Sequence, residues 1–519
     1  MVPTRMASNP PFRRVLIANR GEIAVRIARG LRELGIESVA VHSDSDARCA
    51  HVMQADHAVP LHGNTAAETY LDVAKILAAA KRSGASAIHP GYGFLSENST
   101  FARAVIDAGF VFIGPRPEAM DRLGGKKAAR EEALAASVPV IPGTEQDHGD
   151  ASMIEVARKI GMPVMLKASA GGGGRGMRLV ERPQDLAEAL VAARREAKAS
   201  FGDDRMILER AVFPARHIEI QILGDKHGHV VSLHERECSV QRRHQKVLEE
   251  APSAVVSEAL RLKMGAAATA LAQRVGYDNA GTVEFLLDEQ GNFYFLEVNT
   301  RLQVEHPVTE LVTGLDLVHL QVHVAAGGRL EQMLAGKDLR PRGHAIEARI
   351  CAESPENGYL PASGVLRLVK EPEGPGIRVD SGVYTGAEVP PWYDSMLSKI
   401  IVWAPDRAMA CARLSQALSS TAYLGVPTNV DFLRRVVDDA AFRGARLRTD
   451  MLRLRPELAA GPQQGPEALA LAAAVLCQAV EPARVANGGG RNGGPGAAVV
   501  RSDSVWRELE GFRLFEARR

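Results

Sequence analysis

The N-terminal part of the chain alternates between short apolar segments and amphipathic helical patterns, and this alternation constrains the fold more than any other feature. The segments with the length of buried strands are 15–18, 38–42, 85–89 and 110–113. The segments with apolar residues at helical spacing are 23–34, 70–80 and 101–108. Strands that alternate with helices form parallel sheets. The sequence therefore predicts an α/β N-terminal domain.

Two turns at the ends of these strands bear on ligand binding. The turn after the first strand, Asn19-Arg20-Gly21-Glu22, lacks the three-glycine dinucleotide fingerprint. We therefore expect a nucleotide-binding type of fold without a dinucleotide site. The segment HPGYGFLSEN, at 89–98, follows the third strand, where α/β folds bind ligands. A purely structural glycine turn explains this segment equally well.

Composition excludes several classes of protein. The chain has 519 residues, 46% hydrophobic and 24% charged, with a net charge of +1. This profile indicates a folded multi-domain protein and gives no electrostatic case for binding nucleic acid. The five cysteines are scattered without a CxxC pair, which favours a reducing compartment. We find no signal core and no apolar run that could span a membrane, so we expect a soluble cytoplasmic protein.

A glycine run indicates phosphate binding. The apolar segment 163–167 ends in Lys167 and leads into four consecutive glycines, 171–174, followed by Arg175. Backbone N–H groups without neighbouring side chains can surround phosphate oxygens, and the two cations add positive charge. The chain has no GxxxxGK[ST] motif, so a Walker-type nucleotide site is not expected. The alternative interpretation is a flexible turn.

A predicted hairpin brings two glutamates together. Apolar segments at 282–287 and 292–298 flank the turn Asp288-Glu289-Gln290-Gly291. A hairpin symmetric about the Gln290–Gly291 bond places Glu284 opposite Glu297, with Cβ atoms about 5 Å apart. Like charges at that distance among apolar neighbours require a proton or a cation, and facing carboxylates suit Mg²⁺. Alternation adds Asn299 and Arg301 to the face of Glu297. The alternative is two exposed glutamates.

Two polar segments complete the candidate site. The first, ECSVQRRHQK at 237–246, clusters basic groups that suit an oxyanion, although a solvated loop is equally consistent. The second, RLQVEHP at 301–307, places a cation four residues before a potential general base, Glu305. Taken alone, an Arg–Glu salt bridge explains this second segment as well.

Taken together, these motifs resemble the biotin carboxylase family of the ATP-grasp superfamily over residues 12–452. The resemblance rests on long motifs in a fixed order: VLIANRGEIAVRI, HPGYGFLSEN, KASAGGGGRGM, ERECSVQRRHQK, EEAP, FLEVNTRLQVEHPVTE and RGHAIEARICAE. It implies a multi-domain α/β and α+β protein. The parts implied are a nucleotide-fold-like N-terminal domain at 11–120, an ATP-grasp domain at 121–328 with a mobile lid at about 139–211, and a C-terminal domain at 343–452.

The resemblance also implies the reaction, in which ATP and bicarbonate carboxylate biotin bound to a carrier, through carboxyphosphate. The ATP contacts it implies are Lys126, Lys167, Gly173, Gly174, Glu209, Arg210, Ala211, Val212, His217, His244, Glu284 and Glu297. The residues implied for Mg²⁺ or Mn²⁺ are Glu284, Glu297 and Asn299. Bicarbonate is expected at Lys246, Arg301 and Val304, with Glu305 as its base and Arg349 facing the biotin ring. The catalytic set is therefore Arg301, Glu305, Lys246 and Arg349.

The chain departs little from the family pattern. Ala170 stands where some relatives have a fifth glycine, and every charged catalytic position is present. Another ATP-grasp carboxylate ligase and a non-catalytic carboxylase subunit are the alternative functions. The stretch RLQVEHPVTE and the segment around Arg349 argue against the first, and the complete site argues against the second.

The tail, 453–519, is rich in linker residues and weakly resembles the start of the region that follows biotin carboxylase in methylcrotonyl- or propionyl-type acyl-CoA carboxylases. The chain has no Met-Lys-Met biotinylation motif. Either a separate carrier supplies biotin, or this chain is shorter than its relatives. The family implies a carrier protein, a carboxyltransferase and a homodimer as partners. The acyl acceptor, the oligomeric state and the preferred metal stay open.

Overall fold

The computed structural model describes residues 10–144, 147, 149–169, 176–242 and 245–461 of the chain. Within these residues no helix is long and apolar enough to cross a membrane. The cysteines at 49, 238, 351 and 411 are free thiols.

The N-terminal part is a parallel sheet covered by helices, as predicted. Its strands are β1 (Arg14–Ile17), β2 (Glu37–His42), β3 (His57–Pro60), β4 (Ala87–His89) and β5 (Val111–Phe112). Its helices are α1 (Gly21–Glu33), α2 (Ala50–Gln54), α3 (Val73–Ser83), α4 (Ser99–Asp107) and α5 (Pro117–Gly124). The sheet order is β3-β2-β1-β4-β5. The pattern did not predict β3 or α2, because both are too short to show a period.

The strand order reverses beside β1, and the loops after β1 and β4 meet there. Asn19 joins them, since its Nδ2 donates to the carbonyls of Pro90 (2.7 Å) and Tyr92 (2.8 Å). Parallel sheets of this kind bind ligands at such a point. The turn that lacks the dinucleotide fingerprint is therefore used to fix the segment 89–98.

A small antiparallel sheet follows inside the predicted lid. Its strands are β6 (Val164–Ala168), β7 (Met177–Val180) and β8 (Met206–Arg210). The helices around it are α7 (Asp150–Ile160) and α8 (Leu186–Phe201), with a 3₁₀ turn at Pro183–Asp185, and α6 (Lys126–Ala135) precedes them. The strand order is β7-β6-β8. The apolar faces of α7 and α8 pack on this sheet around Met153, Leu190 and Leu208 and form a separate small core.

The central part supplies strands and helices over 216–333. The elements are β9 (Arg216–Gly224), β10 (Val230–Arg242), β11 (Gln245–Ala251), α9 (Glu258–Arg274), β12 (Asn279–Leu287), β13 (Phe293–Asn299), α10 (His306–Thr313), α11 (Leu317–Ala325) and α12 (Leu330–Met333). The predicted hairpin is present with strand boundaries shifted by a few residues, and apolar patterns at 257–275 and 315–326 correspond to α9 and α11.

The C-terminal part is an α+β arrangement. Its strands are β14 (His344–Cys351), β15 (Glu353–Ser354), β16 (Leu360–Pro361), β17 (Gly364–Val365), β18 (Leu368–Lys370), β19 (Ile377–Ser381), β20 (Glu388–Val389), β21 (Met396–Ala404) and β22 (Ala422–Leu424). Its helices are α13 (Arg407–Ser419), α14 (Val430–Asp438), α15 (Ala440–Arg443) and α16 (Met451–Leu454), with 3₁₀ turns at Pro355–Asn357 and Pro456–Ala459.

One antiparallel sheet of eight strands unites the central and C-terminal parts. Its order is β13-β12-β9-β10-β11-β14-β21-β19. The seam is the pairing of β11 with β14, in which Glu249 lies opposite Glu347. The family resemblance implied separate domains at 121–328 and 343–452, and the sequence did not predict the shared sheet, because the two strands at the seam are almost a hundred residues apart. Long-range pairing of this kind leaves no local pattern.

Candidate active site

One face of the eight-stranded sheet carries a buried charged network. In β9, polar and apolar residues alternate, so His217, Glu219 and Gln221 point to the same face. Glu219 lies opposite Glu284 of β12 and Arg236 of β10. All three side chains are buried. Charged groups out of water persist only when they are paired, so this face must balance its own charges.

Arg236 organises the floor of this network. Its guanidinium is fully buried and donates to Glu219 Oε1 (2.5 Å) and Gln221 Oε1 (2.7 Å). It also donates to the hydroxyl oxygens of Thr309 (2.9 Å) and Thr282 (3.0 Å). Four partners from three elements, β9, β12 and α10, fix the guanidinium, which in turn holds Glu219 in place. The planar donor geometry of arginine suits such a fixed position.

Lys246 is the centre of the network. Its ammonium donates to Glu219 Oε2 (2.5 Å), Glu305 Oε1 (2.6 Å) and Glu284 Oε1 (2.8 Å). Burial alone would lower the pKa of Lys246, but these three carboxylates raise it well above its usual value. The lysine is therefore held as a cation with all three N–H donors used. Any anion that enters this site must exchange places with one of these carboxylates.

Glu305 lies between two cations at the start of α10. Its Oε2 accepts from Arg349 Nη2 at 2.8 Å, on the opposite side from Lys246. Arg349 also donates through Nε to Glu249 Oε1 at 2.6 Å. Burial alone would raise the pKa of Glu305, but Lys246 and Arg349 hold it well below its usual range. Glu305 is thus a carboxylate in the resting site, as a general base has to be.

Two further carboxyl groups lie behind Arg349. Burial raises the pKa of Glu249 to about 7 in spite of its contact with Arg349. Glu347, opposite Glu249 across the sheet, is fully buried, and neither of its oxygens has a hydrogen-bond partner among the described residues. Burial raises its pKa well above the usual value. This shift favours the protonated form of Glu347, which would weaken its repulsion with Glu249.

The hairpin brings Glu284 and Glu297 opposite each other, as predicted. The predicted turn centre is wrong, however. Phe285 pairs with Phe295, so the turn is centred on Gln290, and a bulge beyond Phe285 restores the Glu284–Glu297 pair. The tight turn uses Gly291 at φ +83°, and a bulge can absorb the one-residue offset.

These glutamates differ in their contacts. Glu284 is 3% exposed, and its Oε2 lies 2.9 Å from His217 Nε2. Burial raises the pKa of Glu284, but Lys246 and His217 together bring it below its usual value. Glu297 is partly exposed, and no donor of the described residues bonds to it. Burial and the charge of Glu284 raise the pKa of Glu297. Glu297 is therefore an oxygen ligand available to a cation.

The segment after β13 carries the next predicted residues. Asn299 Nδ2 donates to Glu284 Oε1 (2.9 Å), and Asn299 Oδ1 accepts from Arg301 Nη2 (2.9 Å). Arg301 Nε also donates to Glu97 Oε2 (3.0 Å), and the backbone N–H of Thr300 donates to Glu97 Oε1 (3.0 Å). The segment 89–98 of the N-terminal domain therefore takes part in the site by holding this arginine.

The predicted ATP residues are divided between the lid and the sheet. Lys167 of β6 forms a short ion pair with Glu209 of β8. The backbone N–H groups of Arg210 and Ala211 donate to the carbonyls of Pro142 and Pro163, both at 2.8 Å. The remaining residues of this set are an exposed lysine at the start of α6 (Lys126) and a half-buried residue (Val212). Gly173, Gly174 and His244 lie outside the described residues.

Sequence reasoning missed several residues of this network. They are Glu97, Glu219, Arg236, Glu249, Glu347 and Lys399. A signal existed for Glu219, because the alternation of His217, Glu219 and Gln221 with isoleucines indicates a strand with a polar buried face. Glu97 lies in the loop before α4, and the other four belong to strands that only the sheet register brings to the site.

The residues present fit a divalent cation. The donor set of Glu284, Glu297 and Asn299 offers oxygen atoms only, which is the chemistry that Mg²⁺ and Mn²⁺ prefer. Glu297 accepts no hydrogen bond from the described residues, and burial together with the charge of Glu284 raises its pKa, so a bound cation would relieve the repulsion. The ligand atoms of His217, Glu219 and Glu284 also lie within 4.8 Å of one another. Lys246 already contacts two of those three, so the hairpin pair is the better candidate.

Comparison with known families places each part of the chain. The Biotin carboxylase N-terminal domain model matches residues 11–120, and the Biotin carboxylase C-terminal domain model matches 347–453. Between them, the model of the Carbamoyl-phosphate synthase L chain, ATP binding domain, matches 125–333. The fold and these matches define an ATP-grasp enzyme with three domains.

Individual relatives show which family of ATP-grasp enzymes the chain resembles. The chain is 49% identical to biotin carboxylase of Nostoc sp. over 442 residues, which cover 85% of this chain and 98% of the relative. It is 46% identical to the mitochondrial methylcrotonoyl-CoA carboxylase subunit alpha of Dictyostelium discoideum, covering 90% of this chain and 67% of that one. The chain belongs to the biotin carboxylase family.

The solved structures agree. The biotin carboxylase domain dimer of Hydrogenobacter thermophilus 2-oxoglutarate carboxylase, in complex with MgADP, ADP and bicarbonate, superposes with a TM-score of 0.80 at 42% identity. The match covers 87% of this chain and 99% of that chain. Biotin carboxylase of Campylobacter jejuni, solved as a β,γ-ATP complex, gives a TM-score of 0.79 at 40% identity, covering 85% of this chain and 99% of that one. The predicted family and fold class are thereby confirmed.

Proposed function

We propose that the network around Lys246, Glu305 and Arg349 performs the ATP- and bicarbonate-dependent carboxylation of carrier-bound biotin. The chain is an ATP-dependent ligase of the biotin carboxylase family. The observation that carries the assignment of residues is the resting position of Glu305, a buried carboxylate held at 2.6 Å by Lys246 and at 2.8 Å by Arg349. A base clamped in this way is inactive until a substrate anion takes over one of its cations.

Bicarbonate supplies that anion. We assign its binding to Lys246, Arg301 and the backbone at Val304. When Lys246 turns one N–H donor from Glu305 to bicarbonate, Glu305 loses part of its cationic surroundings, and its pKa rises. Glu305 can then take the proton of the bicarbonate O–H. The base is therefore activated only when its substrate is in place.

Phosphoryl transfer follows. An oxygen of deprotonated bicarbonate attacks the γ-phosphorus of ATP, and the bond to the bridging β–γ oxygen breaks, giving ADP and carboxyphosphate. Lys126 and Lys167 are the proposed cationic contacts to the phosphates, His244 is a further proposed ATP contact, and Gly173 and Gly174 are proposed to cover the phosphates. Glu209, Arg210, Ala211, Val212 and His217 are proposed for the adenosine side. Mg²⁺ held by Glu284, Glu297 and Asn299 would neutralise charge on the phosphate oxygens.

Glu305 also links the two half-steps. Once protonated, it holds Arg349 less strongly, so Nη2 becomes free to donate to the ureido oxygen of biotin. Carboxyphosphate breaks down to CO₂ and phosphate, the released phosphate takes the proton of the ureido N–H, and the deprotonated biotin nitrogen then attacks CO₂. Arg349 stabilises the negative charge that develops on the ureido oxygen, as an oxyanion-hole donor does. A closed lid over 139–211 would keep water from carboxyphosphate.

The finer organisation is also part of the proposal. We propose domains at 11–120, 121–328 and 343–452, with 453–519 as a tail, and the family matches support the first three. A biotin carrier and a carboxyltransferase are the proposed partners, and the dimer of the Hydrogenobacter domain supports a homodimer. Mg²⁺ is proposed as the metal, with Mn²⁺ as the alternative. A cytoplasmic location is proposed from the free cysteines.

The test is ADP release by the purified chain with bicarbonate and biotin added separately. We expect ADP release to need bicarbonate and to increase with biotin. ATP turnover that is indifferent to both additions would contradict the proposal and favour another ATP-grasp ligase. Absence of any turnover with a biotinylated carrier present would favour a non-catalytic subunit.

A further inference from the structure

Lys399 is a fully buried lysine that none of the proposed steps uses. It lies in β21 with 0% exposure, and it is in register with Arg349 on one side and Asp380 on the other. Burying an ammonium group is costly unless its surroundings return the lost hydration. A methionine would fill the same space without that cost. The contacts of the ammonium group should therefore show what the charge does at this position.

The ammonium of Lys399 contacts one backbone carbonyl and lies near two carboxyl groups. Its one hydrogen bond among the described residues runs to the backbone carbonyl oxygen of Val304, at 2.9 Å. Two carboxylates surround it at longer range, Glu22 Oε2 at 3.5 Å and Asp380 Oδ2 at 3.8 Å. The lysine therefore joins three parts of the molecule. They are α1 of the N-terminal domain, β19 of the C-terminal part, and the segment that precedes α10.

The carbonyl that Lys399 holds lies directly before the proposed general base, Glu305. It belongs to the peptide between Val304 and Glu305, so its direction sets the orientation of both residues. Glu305 is the N-cap residue of α10, but its side chain makes no capping hydrogen bond and faces Lys246 and Arg349 instead. No strand pairing supports residues 300–305. Side-chain contacts hold this segment instead: Glu97 binds Thr300 and Arg301, Gln303 donates to Glu284, and Lys399 holds the Val304 carbonyl next to the base.

We propose that Lys399 is a positioning residue for the carboxylation reaction, because its ammonium holds the Val304 carbonyl and thereby orients the turn that brings Glu305 to bicarbonate. The inference rests on the proposed roles of Val304 and Glu305. Lys399 touches no substrate and acts only through this peptide. Glu22 and Asp380 lie beside the ammonium, at 3.5 and 3.8 Å, and help to fix its direction, so the position of the turn at 301–305 depends on both flanking domains.

The test compares Lys399→Met with Lys399→Arg and with a contact-matched control. Lys226 also donates from Nζ to a backbone carbonyl, that of Ala325 at 2.7 Å, but it lies away from the site, so Lys226→Met is the control. We expect Lys399→Met to raise the KM for bicarbonate and lower kcat together by on the order of 10- to 100-fold, with the KM for ATP nearly unchanged. Lys399→Arg should recover part of the loss, and Lys226→Met should match the parent protein.

Hydrogen exchange gives a second readout that does not need turnover. Amides of the peptide covering 299–306 should exchange faster in Lys399→Met and at the parent rate in Lys226→Met. If Lys399→Met does not fold, Lys399→Met combined with Glu22→Gln replaces it, because the second change removes the carboxylate left without its cation. Unchanged exchange over 299–306, or equal losses for ATP and bicarbonate, would overturn the inference. If the proposed function itself is wrong, the parent protein will show no bicarbonate-dependent ADP release, which distinguishes that outcome from a failure of this inference.

Discussion

Replacement of Glu305 by glutamine tests the role of the clamped carboxylate directly. The amide has nearly the same shape, so it can accept a hydrogen bond from one of the two cations, Lys246 or Arg349. Its NH₂ group then faces the other cation, which costs one charge-assisted hydrogen bond of about 1.5–3 kcal/mol. Loss of one negative charge next to Glu219 and Glu249 offsets part of that cost. We therefore expect Glu305→Gln to fold with only a modest loss of stability.

The expected effect on catalysis is much larger. The amide cannot accept the bicarbonate proton, and a positioned general base contributes about 10²- to 10⁴-fold to a rate. This corresponds to about 3–5 kcal/mol of activation free energy. Bicarbonate-dependent ADP release at saturating substrates should fall by at least about 100-fold. The KM for ATP should change little, because no predicted ATP contact is altered.

Glu235→Gln is the matched control. Glu235 is also a buried carboxylate bound by a guanidinium, with Arg261 Nε 2.7 Å from its Oε2, but it is not part of the proposed site. Its replacement should leave bicarbonate-dependent ADP release near the parent value. A fall of less than about fivefold in Glu305→Gln would refute the general-base assignment. Equal losses in both variants would mean that burial of a neutral amide, and not chemistry, causes the effect.

Three further predictions concern the carboxyl groups of Glu297, Glu347 and Glu22. Glu297→Gln should raise the Mg²⁺ concentration needed for half-maximal activity by at least about tenfold and should reduce the rise in melting temperature caused by MgATP; an unchanged melting shift would contradict the metal assignment. Glu347→Gln should change the free energy of unfolding in urea by less than about 1 kcal/mol, because the protonated carboxyl and the amide are both neutral; a loss above about 3 kcal/mol would show that Glu347 is charged. Burial raises the pKa of Glu22 from 4.5 to about 7, so its contribution to stability is present below pH 4.5 and is lost as the pH rises through 7. Glu22→Gln should therefore gain up to about 3 kcal/mol over the parent protein between pH 5 and 8, and parallel pH profiles would refute the shift.

Local signals in the sequence were sufficient for much of the fold. Strand–helix alternation predicted β1, β2, β4 and β5, and the hairpin predicted the pairing of Glu284 with Glu297 in spite of a misplaced turn centre. These features depend on period and turn chemistry, which act over a few residues. The motif from Arg301 to Glu305 also became interpretable through the family resemblance.

The partners of those residues could not be predicted in the same way. Lys246 and Glu305 were expected to act on bicarbonate, but the sequence did not indicate that each neutralises the other before substrate arrives. Arg349 was expected near biotin, whereas its resting contacts with Glu249 and Glu305 depend on the pairing of β11 with β14 and on the position of α10. Such contacts arise from register across distant strands, and a single sequence contains no direct record of register.

The continuous eight-stranded sheet has a consequence for dividing this protein. A fragment that ends before β14 would leave the backbone groups of Leu248 to Ala251 in β11 without their partners. An unpaired strand edge of this kind recruits other chains, and this one also carries Glu249 and Glu250, which would lose Arg349 and Arg407. The ATP-grasp segment expressed alone should therefore aggregate. Insertions should be tolerated in the surface loops. They should not be tolerated within β11 or β14, because these two strands form the seam.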